Sequence, residues 1–299
     1  MPQTQTKPAF DGPDATAEAP SGKDAAYENF PVGSWLLPAP LRPHVAIFYA
    51  FARAIDDIAD SPDLPPEEKI ARLDGFADVL EGGEALPAFA KATHMRQSLL
   101  ECGVTNRHCL DLISAFKQDA VKTRYASWDE LIDYCNRSAA PVGRYLLDLH
   151  GEDSVGYPYS DALCNALQVL NHLQDCQEDY RLLDRVYLPV PWFEQESLTV
   201  DALDGSASSP GMRRIIDRAL TSTDPLIETA AQLPHILRNR RLAMESNVIV
   251  HIARKLAAHL RRDDPLAGRV ALSKPHYLLC CLQGAGKILF RPRAQMPAP

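Results

Sequence analysis

The stretch Gln168-Val169-Leu170-Asn171-His172-Leu173-Gln174-Asp175-Cys176-Gln177-Glu178-Asp179-Tyr180 decides how the chain is read. Asn171, Asp175 and Asp179 recur every fourth residue, so a helix presents them as one row of oxygens, with Glu178 at its flank. Leu163, Leu167 and Leu170 form the adjoining apolar stripe. A second segment, Tyr49-Ala50-Phe51-Ala52-Arg53-Ala54-Ile55-Asp56-Asp57-Ile58-Ala59-Asp60, repeats the arrangement. At 100° per residue from Val45, Tyr49, Arg53, Asp56, Asp57 and Asp60 project between about 20° and 120°. Ile47, Phe48, Phe51, Ile55 and Ile58 occupy about 200° to 300°. Carboxylates packed this closely repel one another unless a cation intervenes. Two such rows facing across a bundle cavity offer hard oxygen ligands, which suit Mg²⁺ held partly by substrate phosphates. A single row is usually a solvated helix face; two rows, each flanked by an apolar stripe, raise the case for a metal.

The same period extends through the chain. Helices are predicted over about 43–60, 66–80, 88–101, 107–119, 127–149, 160–182, 211–233, 237–262 and 275–289. Breakers separate them, among them Ser61-Pro62, Gly82-Gly83, Gly103, Gly151 and the Pro189/Pro191 pair. Alternating strand patterns are absent, and residues 184–210 form the longest non-helical stretch. One all-α domain over 27–290 is expected, with a disordered tail at 1–26 and a short tail at 291–299.

The 299 residues carry a net charge of −8, which argues against nucleic-acid binding. Residues 236–299 nevertheless hold twelve Lys/Arg and three Asp/Glu, a local +9, leaving −17 on residues 1–235. Seven cysteines without a C-x-x-C pair fit reduced thiols in a cytoplasmic protein. The N-terminus has no signal-peptide pattern, and no segment is apolar enough to span a membrane. Tyr277 to Phe290, with Lys274, Arg291 and Arg293 around it, reads equally as a last core helix or as a peripheral contact with anionic membrane. Gly284-Ala285-Gly286-Lys287 is half a P-loop only, because Cys281 holds the place of its first glycine. No H-E-x-x-H zinc motif is present.

Several ordered motifs resemble the squalene/phytoene synthase family of all-α isoprenoid synthases. They are Asn29-Phe30 with Leu36-Leu37-Pro38, Tyr49-x-x-x-Arg53-x-x-Asp56-x-x-x-Asp60, and Tyr134-Cys135 with Val142-Gly143. Asn171-x-x-x-Asp175-x-x-x-Asp179 and Arg185-Val186-Tyr187-Leu188-Pro189 complete the set. The resemblance implies a single-domain helical bundle with a central cavity. It implies Mg²⁺ on Asp56, Asp60, Asn171, Asp175 and Asp179, with Asp57 and Glu178 as extra ligands. Arg53 is expected to contact the diphosphate and assist its departure. Tyr49, Arg137, Arg144, Asn171, Arg185 and Tyr187 are expected around the substrate, although Arg137 and Arg144 also fit pairing with acidic neighbours, and Arg185 and Tyr187 a structural turn. His172 is expected in the core or behind the ligands.

Family members that join two prenyl diphosphates carry tyrosine where this chain has Arg137. They carry Gly at Ala140 and Arg at Gln174. The wording around Ala140-Pro141-Val142-Gly143-Arg144 and Asn171 to Cys176 is similar to the family's bacterial hopanoid branch. That branch takes presqualene diphosphate, expels pyrophosphate and traps the cation with water, without NADPH. It works between a preceding enzyme that supplies the substrate and a following one that reduces the alcohol. A presqualene diphosphate or phytoene synthase, and a non-catalytic prenyl-lipid binder, are the alternative readings.

Overall fold

The computed structural model describes residues 16–19 and 37–289. The tail segments 1–15, 20–26 and 291–299 and the Asn29-Phe30 motif lie outside them. Residues 16–19, inside the segment read as a disordered tail, lie against the domain. Ala17 is fully buried, its N–H donates to the Ala88 carbonyl, and Arg72 donates to its own carbonyl.

Twelve α-helices follow in the described residues, with no strand among them. They are α1 (Arg42–Asp60), α2 (Pro66–Glu81), α3 (Ala90–Cys102), α4 (Arg107–Asp119), α5 (Trp128–Ser138) and α6 (Ala140–Leu149). Then come α7 (Tyr157–Leu183), α8 (Val190–Gln195), α9 (Pro210–Ala230), α10 (Leu233–Ile236), α11 (Arg240–Arg262) and α12 (Lys274–Leu289). Prolines near the first turns of α1, α2, α6, α7, α9 and α10 mark their starts, where a missing N–H costs nothing.

The single helix expected over 127–149 is two. Pro141 has no N–H to continue the α5 ladder, and the chain kinks at Ala139 (φ −123°, ψ −46°) before α6 begins. Pro234 likewise separates α10 from α9. The stretch read as non-helical carries the short α8, which buries Trp192 and Phe193.

Two large hydrophobic cores result among the described residues, with two small clusters where α12 meets α11. One joins α1 to α4 with α6 and the first half of α7. The other gathers α5, α8, α9, the rest of α7 and the second half of α11. The helix α7, about 40 Å long at 1.5 Å per residue, runs through both.

The helix α12 packs on α11. A Cβ at Gly284 would lie 2.6 Å from the Val248 Cα, so only glycine permits this approach, and Asn247 donates to the Gly284 carbonyl. On its outer side Leu278, Leu279 and Leu282 are 61%, 44% and 64% exposed. No helix among the described residues is long and apolar enough to cross a membrane.

Candidate active site

A cavity of about 360 Å³ opens between α1, α5, α6, α7 and α11. The C-terminal halves of α1 and α7 give it Asp56, Asp60, Asn171, Asp175, Glu178 and Asp179. Their N-terminal halves give it Val45, Phe48, Leu163 and Leu167. One end is therefore acidic and the remainder apolar, as the two helical patterns require.

The end of α7 shapes the acidic region. Asp184 takes a left-handed conformation (φ 49°), which aspartate tolerates, and its N–H caps the Asp179 and Tyr180 carbonyls. The chain turns back, and residues 186–190 are pinned beside 123–125 by the Val186 N–H on the Thr123 carbonyl and the Val190 N–H on that of Tyr125. This turn delivers Arg185 into the wall, 5% exposed. Its guanidinium donates to Asp60 Oδ1 (2.8 Å), Tyr187 Oη (3.2 Å) and the Asp119 carbonyl (3.1 Å). Its Nε lies 3.8 Å from Asp119 Oδ1, and Tyr134 donates to Asp119 Oδ2 at 2.6 Å.

Burial pushes the Asp119 carboxyl up to about 7, although Arg185 and the Tyr134 hydroxyl pull it down. The His172 ring stacks on Tyr187 at 3.5 Å. Burial, reinforced by the Arg185 charge, lowers its pKa to about 3 and keeps the imidazole neutral. Lys69 donates to the Ala59 carbonyl behind this cluster.

Arg53 donates to Asp56 Oδ2 at 2.8 Å, one turn along the same helix, and lies over the Tyr49 ring. Arg269, from the connection between α11 and α12, approaches Asp175 Oδ1 at 3.1 Å. Asp56 and Asp60 of the α1 row thus each meet a guanidinium, as does Asp175 of the α7 row.

The cavity brings together Tyr49, Arg53, Asp56, Asp60, Asn171, Asp175, Asp179, Arg185 and Tyr187 as expected, with Glu178 and His172. Three expected residues are elsewhere. Arg137 donates to Gln118 and Asp133 outside the lining. Arg144 makes a two-pronged pair with Asp161 at 2.8 and 2.6 Å and lies over Tyr157. Asp57 is buried and does not line the cavity, since its 120° direction lies at the edge of the polar face. Gln174, next to Asp175, donates to the Val270 carbonyl.

Asp119, Arg269 and Glu245 were not singled out from sequence. Asp119 ends a helix, where an acid is unremarkable, and Arg269 is one of twelve basic residues after 236. Glu245 lies on α11, whose inward face could not be chosen before its neighbours were known.

The lining includes seven carboxylates (Asp56, Asp60, Asp119, Asp175, Glu178, Asp179, Glu245) against three guanidiniums (Arg53, Arg185, Arg269). A diphosphate would meet repulsion there unless divalent cations accompanied it. The donors are all hard oxygens, which Mg²⁺ takes. Among the described residues no three His, Cys, Asp or Glu side chains are gathered closely enough to hold an ion alone. Mg²⁺ bound by one or two carboxylates plus substrate phosphates does not need such a cage.

Fold and site together define an all-α protein whose cavity pairs two oxygen rows with an apolar arm. A family model for squalene/phytoene synthase matches residues 24–276, and the chain belongs to that family. It is 40% identical to hydroxysqualene synthase of Rhodopseudomonas palustris over 266 residues, 89% of this chain and 90% of that one. Identity to hydroxysqualene synthase of Sinorhizobium fredii is 41%, over 84% of this chain and 86% of the relative. Among solved structures, squalene synthase HpnC from Alicyclobacillus acidocaldarius matches with TM-score 0.67 at 32% identity, covering 77% of this chain and 87% of that one. A dehydrosqualene synthase shares the fold, with TM-score 0.72 at 18% identity over 85% and 89% of the two chains.

Proposed function

We propose that the chain converts presqualene diphosphate and water to hydroxysqualene and diphosphate, in hopanoid biosynthesis. The similarity to hydroxysqualene synthases along nearly the whole length carries this reading, and the cavity supplies what the reaction needs. Arg137 adds to it. Where head-to-head synthases resemble one another in carrying tyrosine, this chain has a guanidinium bonded outside the cavity. It offers no acid–base group for closing a cyclopropane.

Asp56, Asp60, Asn171, Asp175 and Asp179, with Glu178 beside them, would hold Mg²⁺. When bound, Mg²⁺ supplies positive charge against the oxygens of the departing diphosphate. Arg53 adds a second source of that charge one turn from the apolar arm. Arg185 holds Asp60 in place, and Arg269 balances Asp175. Val45, Phe48, Phe116, Leu163, Leu167 and Ile249 give the hydrocarbon an arm that limits access of bulk water to the cation. Exchanging diphosphate for hydroxyl is redox-neutral, so the balance requires no NADPH.

The exposed leucines of α12 support a second element of the reading, a peripheral contact with anionic membrane. The helix carries no acidic residue, Lys274 begins it, and a C30 alcohol partitions into lipid. The deciding experiment supplies purified protein and Mg²⁺, without NADPH, with presqualene or farnesyl diphosphate. Hydroxysqualene from the first alone is expected. A cyclopropyl or C40 product from farnesyl diphosphate would overturn the assignment.

A further inference from the structure

Six of the seven carboxylates on the cavity wall come from α1, α4 and α7; the seventh, Glu245, comes from α11 and is 6% exposed. Leu242, Glu245, Ser246 and Ile249 recur at i, i+3, i+4 and i+7 and form the stripe that α11 turns to the cavity. Leu242 and Ile249 bracket Glu245 by one turn on either side. Both pack into the core that holds Val45, Phe48 and Leu163.

Further along α11, Leu256 and Leu260 pack with Leu170 and Leu173. The connection that follows brings Arg269 to Asp175 and the Val270 carbonyl to Gln174. The helix α11 therefore advances in the same sense as α7. Glu245, near its start, belongs to the apolar first half of α7 and not to the Asp175/Asp179 row. A carboxylate among leucine, isoleucine and phenylalanine side chains loses hydration that they do not replace. In such surroundings its charge acts over several ångströms, without contact, on any charge that enters the arm.

We propose that Glu245 is the counter-charge to the carbocation formed in the apolar arm and steers which carbon of that cation is captured. The inference rests on the proposed function and adds a residue that acts once the diphosphate leaves. When the C–O bond to diphosphate breaks, its electron pair departs with the diphosphate at the acidic end. The positive charge starts on the cyclopropylcarbinyl carbon and spreads, as the ring opens, over carbons that fill the arm. Glu245 attracts it from the side away from the diphosphate, which opposes collapse back to the ester. Water then forms the new C–O bond, and its surplus proton passes to the departed diphosphate. Glu245 itself makes and breaks no bond.

The test follows wild type, Glu245→Gln and Glu245→Asp on presqualene diphosphate with Mg²⁺. It reads the single-turnover rate of diphosphate release, KM, and the fraction of product that is hydroxysqualene. Glutamine keeps the size of the side chain and removes its charge. A group that acts on the cation alone contributes to the chemical step and not to substrate binding. Glu245→Gln should therefore slow release about 10²-fold with KM nearly unchanged, and isomeric alcohols and hydrocarbons should take a share of the product. Glu245→Asp, which keeps the charge, should retain most of the rate and the wild-type product. A wild-type rate and product in Glu245→Gln, or equal losses in the two variants, would show a packing role and overturn the inference while leaving the proposed function standing. If Glu245→Gln loses its fold by circular dichroism, Glu245→Met, apolar and of similar length, is read in the same way. Wild type that releases no diphosphate from presqualene diphosphate would overturn both readings.

Discussion

Replacing Arg185 with Met, an unbranched side chain of similar reach, removes the cation paired with the buried Asp119 carboxylate at 3.8 Å. The structure sets both the sign and the size of the effect on stability. Burial already holds the Asp119 carboxyl at about 7, against 3.8 for an unperturbed aspartate, while Arg185 pulls it down. Without that pull the folded-state pKa rises further. A carboxyl raised by folding binds its proton more tightly in the native state, so stability falls as pH climbs from the unfolded value to the folded one. In wild type the Asp119 contribution stops falling near pH 7. In Arg185→Met it continues, at about 1.4 kcal/mol per pH unit. Between pH 7 and 8.5 the variant should therefore lose ~2 kcal/mol more than wild type. At pH 5.5 Asp119 is protonated in both folded proteins, and the two curves should run parallel. Urea unfolding at pH 5.5, 7 and 8.5, in chelator, gives the stabilities. Adding Asp119→Asn to the variant should flatten the extra slope. Parallel curves from pH 7 to 8.5, or a slope that survives Asp119→Asn, would refute the reasoning.

Asp175→Ala should lower hydroxysqualene formation by about 10²-fold or more while leaving circular dichroism and Tm close to wild type, and retained activity would remove Asp175 from the site. Chelator should abolish turnover and added Mg²⁺ restore it, with product measured in both states; turnover that survives chelation would exclude the proposed ion. Gly143→Ala would set a Cβ 2.2 Å from Ser160 Oγ and 2.7 Å from Cys164 Sγ. Overpacking of about 1–3 kcal/mol outweighs the ~1 kcal/mol helix gain of alanine, so Tm should fall by a few degrees and recover in part with Ser160→Ala. Leu278→Ser with Leu282→Ser should weaken sedimentation with phosphatidylglycerol vesicles without changing Tm, and undiminished binding would place the membrane contact elsewhere.

Period and spacing carried most of this architecture. The rows Asp56/Asp60 and Asn171/Asp175/Asp179 were legible because four-residue spacing on a helix leaves one face to choose, and the neighbouring leucines and isoleucines choose it. The break at Ala139 escaped the periodicity because Ser138, Ala139 and Ala140 suit a helix; the backbone cost of Pro141 decided against continuity. Asp57 shows the limit of a helical wheel. Its direction is within the polar arc, yet the cavity takes in only part of that arc.

Sequence alone did not separate the arginines that reach the cavity from those that pair elsewhere. Arg137, Arg144, Arg185 and Arg269 are equally cationic, and what separates them is which carboxylate tertiary packing brings within reach. Arg144 meets Asp161 across α6 and α7, and Arg137 meets Asp133 one turn back on α5, so both are spent locally. Arg185 is thrown inward by a left-handed Asp184, and Arg269 hangs from a loop whose path depends on Gln174 holding Val270. With those two pairs formed, the seven lining carboxylates still outnumber the three guanidiniums. The excess negative charge of residues 1–235 is thus partly gathered around one cavity. On the proposed reading, a cavity so charged would take a diphosphate as a complex with divalent cations, which would tie metal dependence to the charge of the wall as well as to the identity of any single ligand.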